Sequence, residues 1–426
     1  MSSPAPDWRR SMAKWLETPD PADKHWSPAI ADAVNHPVPL TDVPTPSLTL
    51  NLSDVAHNIA VMQEWSSQRN MDLAPHGKTT MAPGLWQWQL DAGSWAISVA
   101  NGFQLRVARQ SSIQRVIVAN ELISPTELTW LGGELNRTTA QEFDVTCWAD
   151  SLESVQQMDH HLRAVGASRP LGVCVELGAP GSRTGIRTLR QARATAEAIN
   201  ASDTLELRGL AAYEGSVPRP PEGSTGTPQD RHAEAIRGFL SQVREAFIEL
   251  SDLHRTSTPL LSAGGSAWFD LVAEQLAPAL DQVSGSRVVL RSGAYAIHDH
   301  GHYSNVTPGA QRSGPHFQPA ATAYTRVLST PEPGLAILDA GKRDLPYDIH
   351  LPCVLGVHRD GHWQSIDAEV YSTDDQHAYV RLPSDTLRVG ELLRLGLSHP
   401  CTMFDKWRSV LLVEHDHIVG CLRTYF

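Results

Sequence analysis

The feature that most constrains this chain is an alternation of strand-like and helix-like segments, repeated about eight times between residues 44 and 300, as a parallel β/α barrel requires. Residues 47–52 alternate apolar and polar like a strand, and Ser53 or Asp54 caps a helix running through Trp65. Strands are then expected at 73–75, 95–99, 115–119, 144–148, 171–177, 205–213, 259–263 and 287–291, with helical stretches between them. The run Leu171-Gly172-Val173-Cys174-Val175-Glu176-Leu177 is nearly continuous in apolar character, as for a strand buried on both faces. No Gly-rich nucleotide fingerprint follows the first strand, which disfavours an open doubly wound sheet. The predicted fold class is therefore α/β: a parallel (β/α)8 barrel of the TIM type at 44–315, with an N-terminal arm at 1–43. After residue 316 short strands between turns predict a C-terminal all-β domain, 316–426.

Composition narrows the partners. The chain of 426 residues carries 47 acidic residues against 35 Lys and Arg, a formal charge of −12, and no basic run. That argues against nucleic acid and anionic membranes as partners. No apolar stretch is long enough to span a bilayer. Met1-Ser2-Ser3-Pro4-Ala5-Pro6-Asp7 lacks the apolar core of a signal peptide. Five widely spread cysteines fit reduced thiols in a cytoplasm.

In a β/α barrel, chemistry sits at the C-terminal ends of the strands. Lys78 lies at such an end, in Leu73-Ala74-Pro75-His76-Gly77-Lys78-Thr79-Thr80, where the Pro-His-Gly bend aims one lysine from a mostly uncharged loop. A lysine so placed can form a Schiff base with a carbonyl cofactor. Other strand ends carry Arg183 in Gly178-Ala179-Pro180-Gly181-Ser182-Arg183, Tyr213-Glu214-Gly215, Ser262-Ala263-Gly264-Gly265-Ser266, and Arg291-Ser292-Gly293-Ala294-Tyr295. The small residues at Ser262, Gly264 and Gly265 allow backbone N–H groups to approach a phosphate. A phosphate cradle and a lysine on one barrel face together suggest pyridoxal 5′-phosphate, with Arg183 suited to the pyridine nitrogen. His76, Tyr213 and Tyr295 complete the cofactor-binding candidates. The Pro-, Gly- and Ser-rich stretch 215–229 could serve as a lid.

A second cluster lies in the β domain. His399 and Cys401, spaced i, i+2 on an expected extended segment, point to one side as a metal pair with open positions. His298-Asp299-His300-Gly301-His302 could bind a metal but reads better as a solvated histidine-rich turn after the last barrel strand.

These motifs, in this order, resemble the fold-type III pyridoxal-phosphate enzymes of the D-threonine aldolase and D-serine dehydratase family, whose barrel is similar to that of alanine racemase. The likeness runs from about Pro44 to the C-terminus. The family's Pro-His-(Gly/Val)-Lys-Thr motif matches Pro75 to Thr79 and implies Lys78 as the cofactor lysine. Its Gly-X-X-Arg-X-Gly pattern matches Arg183, its Tyr-Glu-Gly segment matches Tyr213, and its phosphate loop matches Ser262 to Ser266. That loop departs from the common Gly-Gly-Gly-Thr type. The family's His-X-Asp or His-X-Cys metal pair matches His399 and Cys401. The resemblance implies a homodimer acting on a small D-3-hydroxy amino acid. A thiolate ligand suits zinc, whereas an Asp ligand suits manganese or magnesium. Dehydration to a 2-oxo acid and ammonia is the expected reaction, with aldol cleavage to glycine and an aldehyde second. A non-catalytic cofactor carrier is a third reading, against which the metal pair counts. Racemisation would need a further base that no residue clearly supplies.

Overall fold

The computed structural model describes residues 6–221, 227–383 and 387–426. It divides into two compact units, Met1–Met62 with Thr79–Ala92 and Ala294–Phe426, and Gln63–Lys78 with Gly93–Gly293.

The second unit is the barrel. Its eight strands are Asp72–Leu73, Ile97–Val99, Arg115–Glu121, Asp144–Ala149, Leu171–Leu177, Leu205–Ala212, Leu260–Ala263 and Arg287–Leu290. Each neighbouring pair is parallel, and the last strand returns to the first through Val289 opposite Asp72 and Leu290 opposite Leu73. The ring closes because the Trp95 N–H donates to the Leu73 carbonyl at 2.7 Å and the Ser98 N–H to the Pro75 carbonyl at 2.9 Å. One residue from each strand or its extension fills a layer of the interior: Ala74, Ala96, Ile117, Trp148, Cys174, Ala211, Leu260 and Val289. Small alanines on three strands leave room for the Trp148 indole, so this layer is packed core rather than a channel. Helices start where their caps dictate. Ser151 and Thr227 each form a reciprocal capping box, and Asn101 and Thr188 accept a backbone N–H from their first turns.

The other unit is mainly antiparallel sheet. Here the structure corrects an expectation: Ser47–Asn51 does not open the barrel. It pairs antiparallel with Ala321–Glu332 and parallel with Ser409–Glu414. The local pattern gives a strand, but both sets of partners lie hundreds of residues away, beyond the reach of periodicity. The barrel's first strand is the short Asp72–Leu73 instead. Residues 294–315, expected with the barrel, also fall in the β unit. The arm packs there too: Leu16–Glu17 pairs with His417–Arg423, and the Trp8 indole N–H donates to Glu414 Oε1 at 3.0 Å. No helix among the described residues is long and apolar enough to cross a membrane. Of the stretch expected as a lid, residues 222–226 lie outside the described residues.

Candidate functional site

The barrel strands deliver charged side chains to their C-terminal ends. Lys78 is exposed in the turn Gly77–Thr79, just past the first strand. The last strand ends against this loop. A Cβ at Gly293 would come within 2.4 Å of the His76 carbonyl oxygen, so only glycine permits the approach. Burial holds the His76 imidazole well below its ordinary range, and the positive charges of Lys78, Arg291 and Arg183 push it further down. Those three cations therefore converge on one neutral imidazole, whose Nδ1 is buried without a hydrogen-bond partner among the described residues. Glu214 and Glu176 act in turn on buried Arg291, so part of this positive charge is balanced within the barrel.

Arg183 lies over the Tyr213 ring, its guanidinium carbon 5.0 Å from the ring centroid. Arg291, fully buried, donates to Ser262 Oγ at 2.6 Å and to the Ala212 carbonyl at 2.8 Å. The Ser262 hydroxyl donates in turn to the Val289 carbonyl at 3.0 Å, so it braces the arginine. The turn that follows does collect an anion through its backbone. The Gly264 and Gly265 N–H groups donate to the two oxygens of buried Glu214, at 3.0 and 2.7 Å. Gly264 has φ +113°, and a Cβ at Gly265 would meet the Tyr213 ring at 2.8 Å, so the turn needs glycine at both places. Burial raises the Glu214 carboxyl above its ordinary value, against the pull of these N–H groups and of Arg291.

Arg291 and Glu214 are absent from the sequence candidates, although both stand in motifs noted at strand ends. The available signal was a charged residue terminating an otherwise apolar barrel strand.

Glu121 and Glu176, from strands two apart, form an acidic pair in the same unit. Glu121 Oε1 and Glu176 Oε2 are buried and receive no donor among the described residues. Burial, then the Glu176 charge, raises Glu121 from 4.5 to about 8. Folding thus takes up a proton between these values, so the pair's stabilising contribution is complete below pH 4.5 and is lost as pH rises toward 8. Glu121→Gln is expected to flatten the fall of the urea midpoint between pH 5.5 and 8. A variant that loses stability over that range as steeply as the parent would exclude this titration.

In the β unit, the His399 and Cys401 side chains lie within hydrogen-bonding reach of each other. The segment is not extended as expected. Pro400 has helical φ −67° and ψ −33° and opens the short helix Cys401–Phe404, because the fixed proline φ suits a helical first turn. His399 Nδ1 lies 2.6 Å from Asp348 Oδ2, and the Cys401 thiol donates to Thr79 Oγ1 at 3.5 Å. Burial pulls the imidazole down, but the Cys401 and Asp348 side chains more than offset it and leave His399 at about 9. No group of three or more His, Cys, Asp or Glu side chains suited to a metal occurs among the described residues. The donor set is a pair, one imidazole and one thiol, which are ligand types that zinc accepts but fewer than the three protein ligands of a usual catalytic site.

Tyr295 belongs to the β unit, where its buried hydroxyl accepts a hydrogen bond from Gln89 Nε2 at 3.0 Å. The histidine-rich turn is not solvated either. His298 and Asp299 are buried, and Asp299 Oδ1 accepts the Gly301 and Tyr303 N–H groups at 2.9 and 2.8 Å. Burial lowers His298 and His300 to about 4, leaving both neutral.

Comparison with known proteins bears on this arrangement. Residues 50–273 match the family described as "Alanine racemase, N-terminal domain", and residues 320–413 match the "Putative serine dehydratase domain". A D-threonine aldolase of Arthrobacter sp. is 26% identical over 384 residues, covering 89% of this chain and 92% of the relative. A 3-hydroxy-D-aspartate aldolase of Paracoccus denitrificans (strain Pd 1222) is 25% identical over 376 residues, covering 87% and 89%. Among solved structures, D-threonine aldolase from Filomicrobium marinum superposes with a TM-score of 0.73 at 23% identity, over 91% of this chain and 95% of that one. D-threo-3-hydroxyaspartate dehydratase from Delftia sp. HT23 gives 0.70 at 18% identity, over 91% and 99%. The likeness to both structures is one of fold.

Proposed function

This chain belongs to the D-threonine aldolase and D-serine dehydratase branch of the alanine racemase-like family, and on that premise we propose that it is a pyridoxal-phosphate- and zinc-dependent lyase that dehydrates D-3-hydroxy amino acids. The observation that carries the reading is the mouth around Lys78, where Arg183 and Arg291 add their charge to that of a lysine at a strand end. These residues fit the cofactor with an amine to bind its carbonyl and cations for its phosphate, while the Gly264 and Gly265 N–H groups are taken by Glu214. Lys78 would link it, and Arg183, Tyr213, Arg291 and the 262–266 turn would hold it. When bound, the cofactor supplies a sink for the negative charge that develops at the substrate Cα. A metal held by His399 and Cys401 would supply a Lewis acid suited to a hydroxyl leaving group.

The chain's own residues do the rest. The Lys78 amine takes the α-proton. Arg291, held at both ends by Ser262 and Ala212, keeps a positive charge fixed in the mouth without reorganisation. Loss of the α-proton and of the hydroxyl as water leaves an enamine, which hydrolyses to a 2-oxo acid and ammonia. The thiol in the metal pair supports zinc and hence dehydration. Aldol cleavage to glycine and an aldehyde is the second reading, favoured by the names of both curated relatives.

Product analysis separates them. Protein supplied with cofactor and zinc is incubated with D-serine, D-threonine or D-threo-3-hydroxyaspartate. Ammonia with pyruvate, 2-oxobutyrate or oxaloacetate is expected. Glycine with an aldehyde would replace the dehydratase by an aldolase, and bound cofactor without turnover of any of them would favour a carrier. Cys401→Ala is expected to lose zinc and activity by on the order of 10²-fold or more, while keeping the cofactor. Full activity after chelation would remove the metal from the reaction. The proposal includes a cytoplasmic homodimer; five cysteines without a disulfide support the compartment, and light scattering tests the dimer.

A further inference from the structure

His399 is held from behind. Its Nδ1 meets Asp348 Oδ2 at 2.6 Å, and the other oxygen of the same carboxylate accepts the Thr402 hydroxyl at 2.6 Å. Thr402 Oγ1 also lies 3.4 Å from His399 Nδ1, so hydroxyl, carboxylate and imidazole form one compact group. The loop that carries Asp348 is tied on both sides. The Ser398 hydroxyl donates to the His350 carbonyl, and the buried Trp407 indole N–H donates to the Asp344 carbonyl at 3.1 Å.

An unattached imidazole divides between two tautomers and swings about its χ2 bond. One whose Nδ1–H donates to a fixed carboxylate does neither, and in its neutral form the remaining lone pair is on Nε2. The carboxylate also makes that nitrogen a better donor to a metal. Charge balance points the same way: a thiolate at Cys401 and a carboxylate at Asp348 together offset one divalent cation. We propose that Asp348, braced by Thr402, is the positioning residue that presents His399 Nε2 to the metal. The inference rests on the reading of His399 and Cys401 as the metal pair.

The test uses the cofactor-loaded protein and zinc alone, with the zinc dissociation constant read by competition against a chromophoric chelator. Asp348→Ala is expected to weaken zinc binding by about 10- to 100-fold while the visible absorbance of the bound cofactor is unchanged. Asp348→Asn keeps an acceptor for Nδ1–H and loses the charge, so its affinity should lie between those of the parent and the alanine variant. Should the alanine variant fail to fold, the asparagine variant carries the test, with an intermediate affinity expected. Zinc held by either variant as tightly as by the parent would overturn the inference and leave the metal pair standing. An asparagine variant as weak as alanine would make charge, not orientation, the contribution and overturn a positioning role. A parent protein that binds no zinc would remove the metal reading and this inference together.

Discussion

Replacing Lys78 by alanine is expected to abolish the visible absorbance of lysine-linked cofactor and to lower turnover by on the order of 10⁴-fold or more, because one side chain supplies both the covalent link and the proton acceptor. The loss should be chemical rather than structural. Lys78 is exposed on a turn, so truncation to alanine is a change at the surface. Arg183, Arg291 and the glycine turn remain, so cofactor should still associate, now without a borohydride-reducible bond. Lys78→Arg sharpens the test by keeping the charge and removing the nucleophile. His76 reports the difference. Burial depresses its imidazole first, and the Lys78 charge is next among the causes. Its pKa should therefore move upward in the alanine variant and stay low in the arginine variant, as read by NMR. A reducible cofactor adduct retained in either variant would assign the link to another residue.

The parts of this molecule that the sequence displays are those fixed by local physics. Leu171–Leu177 reads as a doubly buried strand and is buried along its whole length. The strand ends that close on Gly-rich turns carry Lys78, Tyr213 and Ser262, because a strand's C-terminal end is where a barrel exposes side chains. What local physics does not set, the sequence hides. Ser47–Asn51 is a strand in any reading, but its partners at 321–332 and 409–414 are chosen by tertiary pairing. Asp348 stands 51 residues from His399, and nothing in its loop distinguishes it from a solvated aspartate. The turn at His298 looked solvated because histidine is a polar letter, yet neutral imidazoles tolerate burial. Ser262 Oγ braces Arg291, a contact visible only once neighbouring strands are in register.

Arg291→Met is expected to destabilise the barrel by about 3–5 kcal/mol in urea unfolding at pH 7, because it removes one partner of a buried charge cluster. Methionine fills much of the volume and can still lie against Trp148, whose ring centroid is 5.3 Å from the guanidinium carbon. It satisfies neither Ser262 Oγ nor the Ala212 carbonyl, and it leaves Glu214 and Glu176 without the cation that acts on both. The pH dependence tests this explanation. Glu214 is already raised by burial, and Arg291 is among the groups holding it down. Without Arg291 its carboxyl rises further, so the variant's deficit is largest where that carboxyl must ionise and shrinks as pH falls and it stays protonated. Glu214→Gln in the same chain should therefore recover part of the loss at pH 7, since the amide leaves no stranded charge. A deficit below about 1 kcal/mol, flat with pH and unrelieved by the second substitution, would show that the cluster is not held by Arg291. In that case the mouth's fixed positive charge would have to come from Lys78 and Arg183, both exposed and screened by solvent.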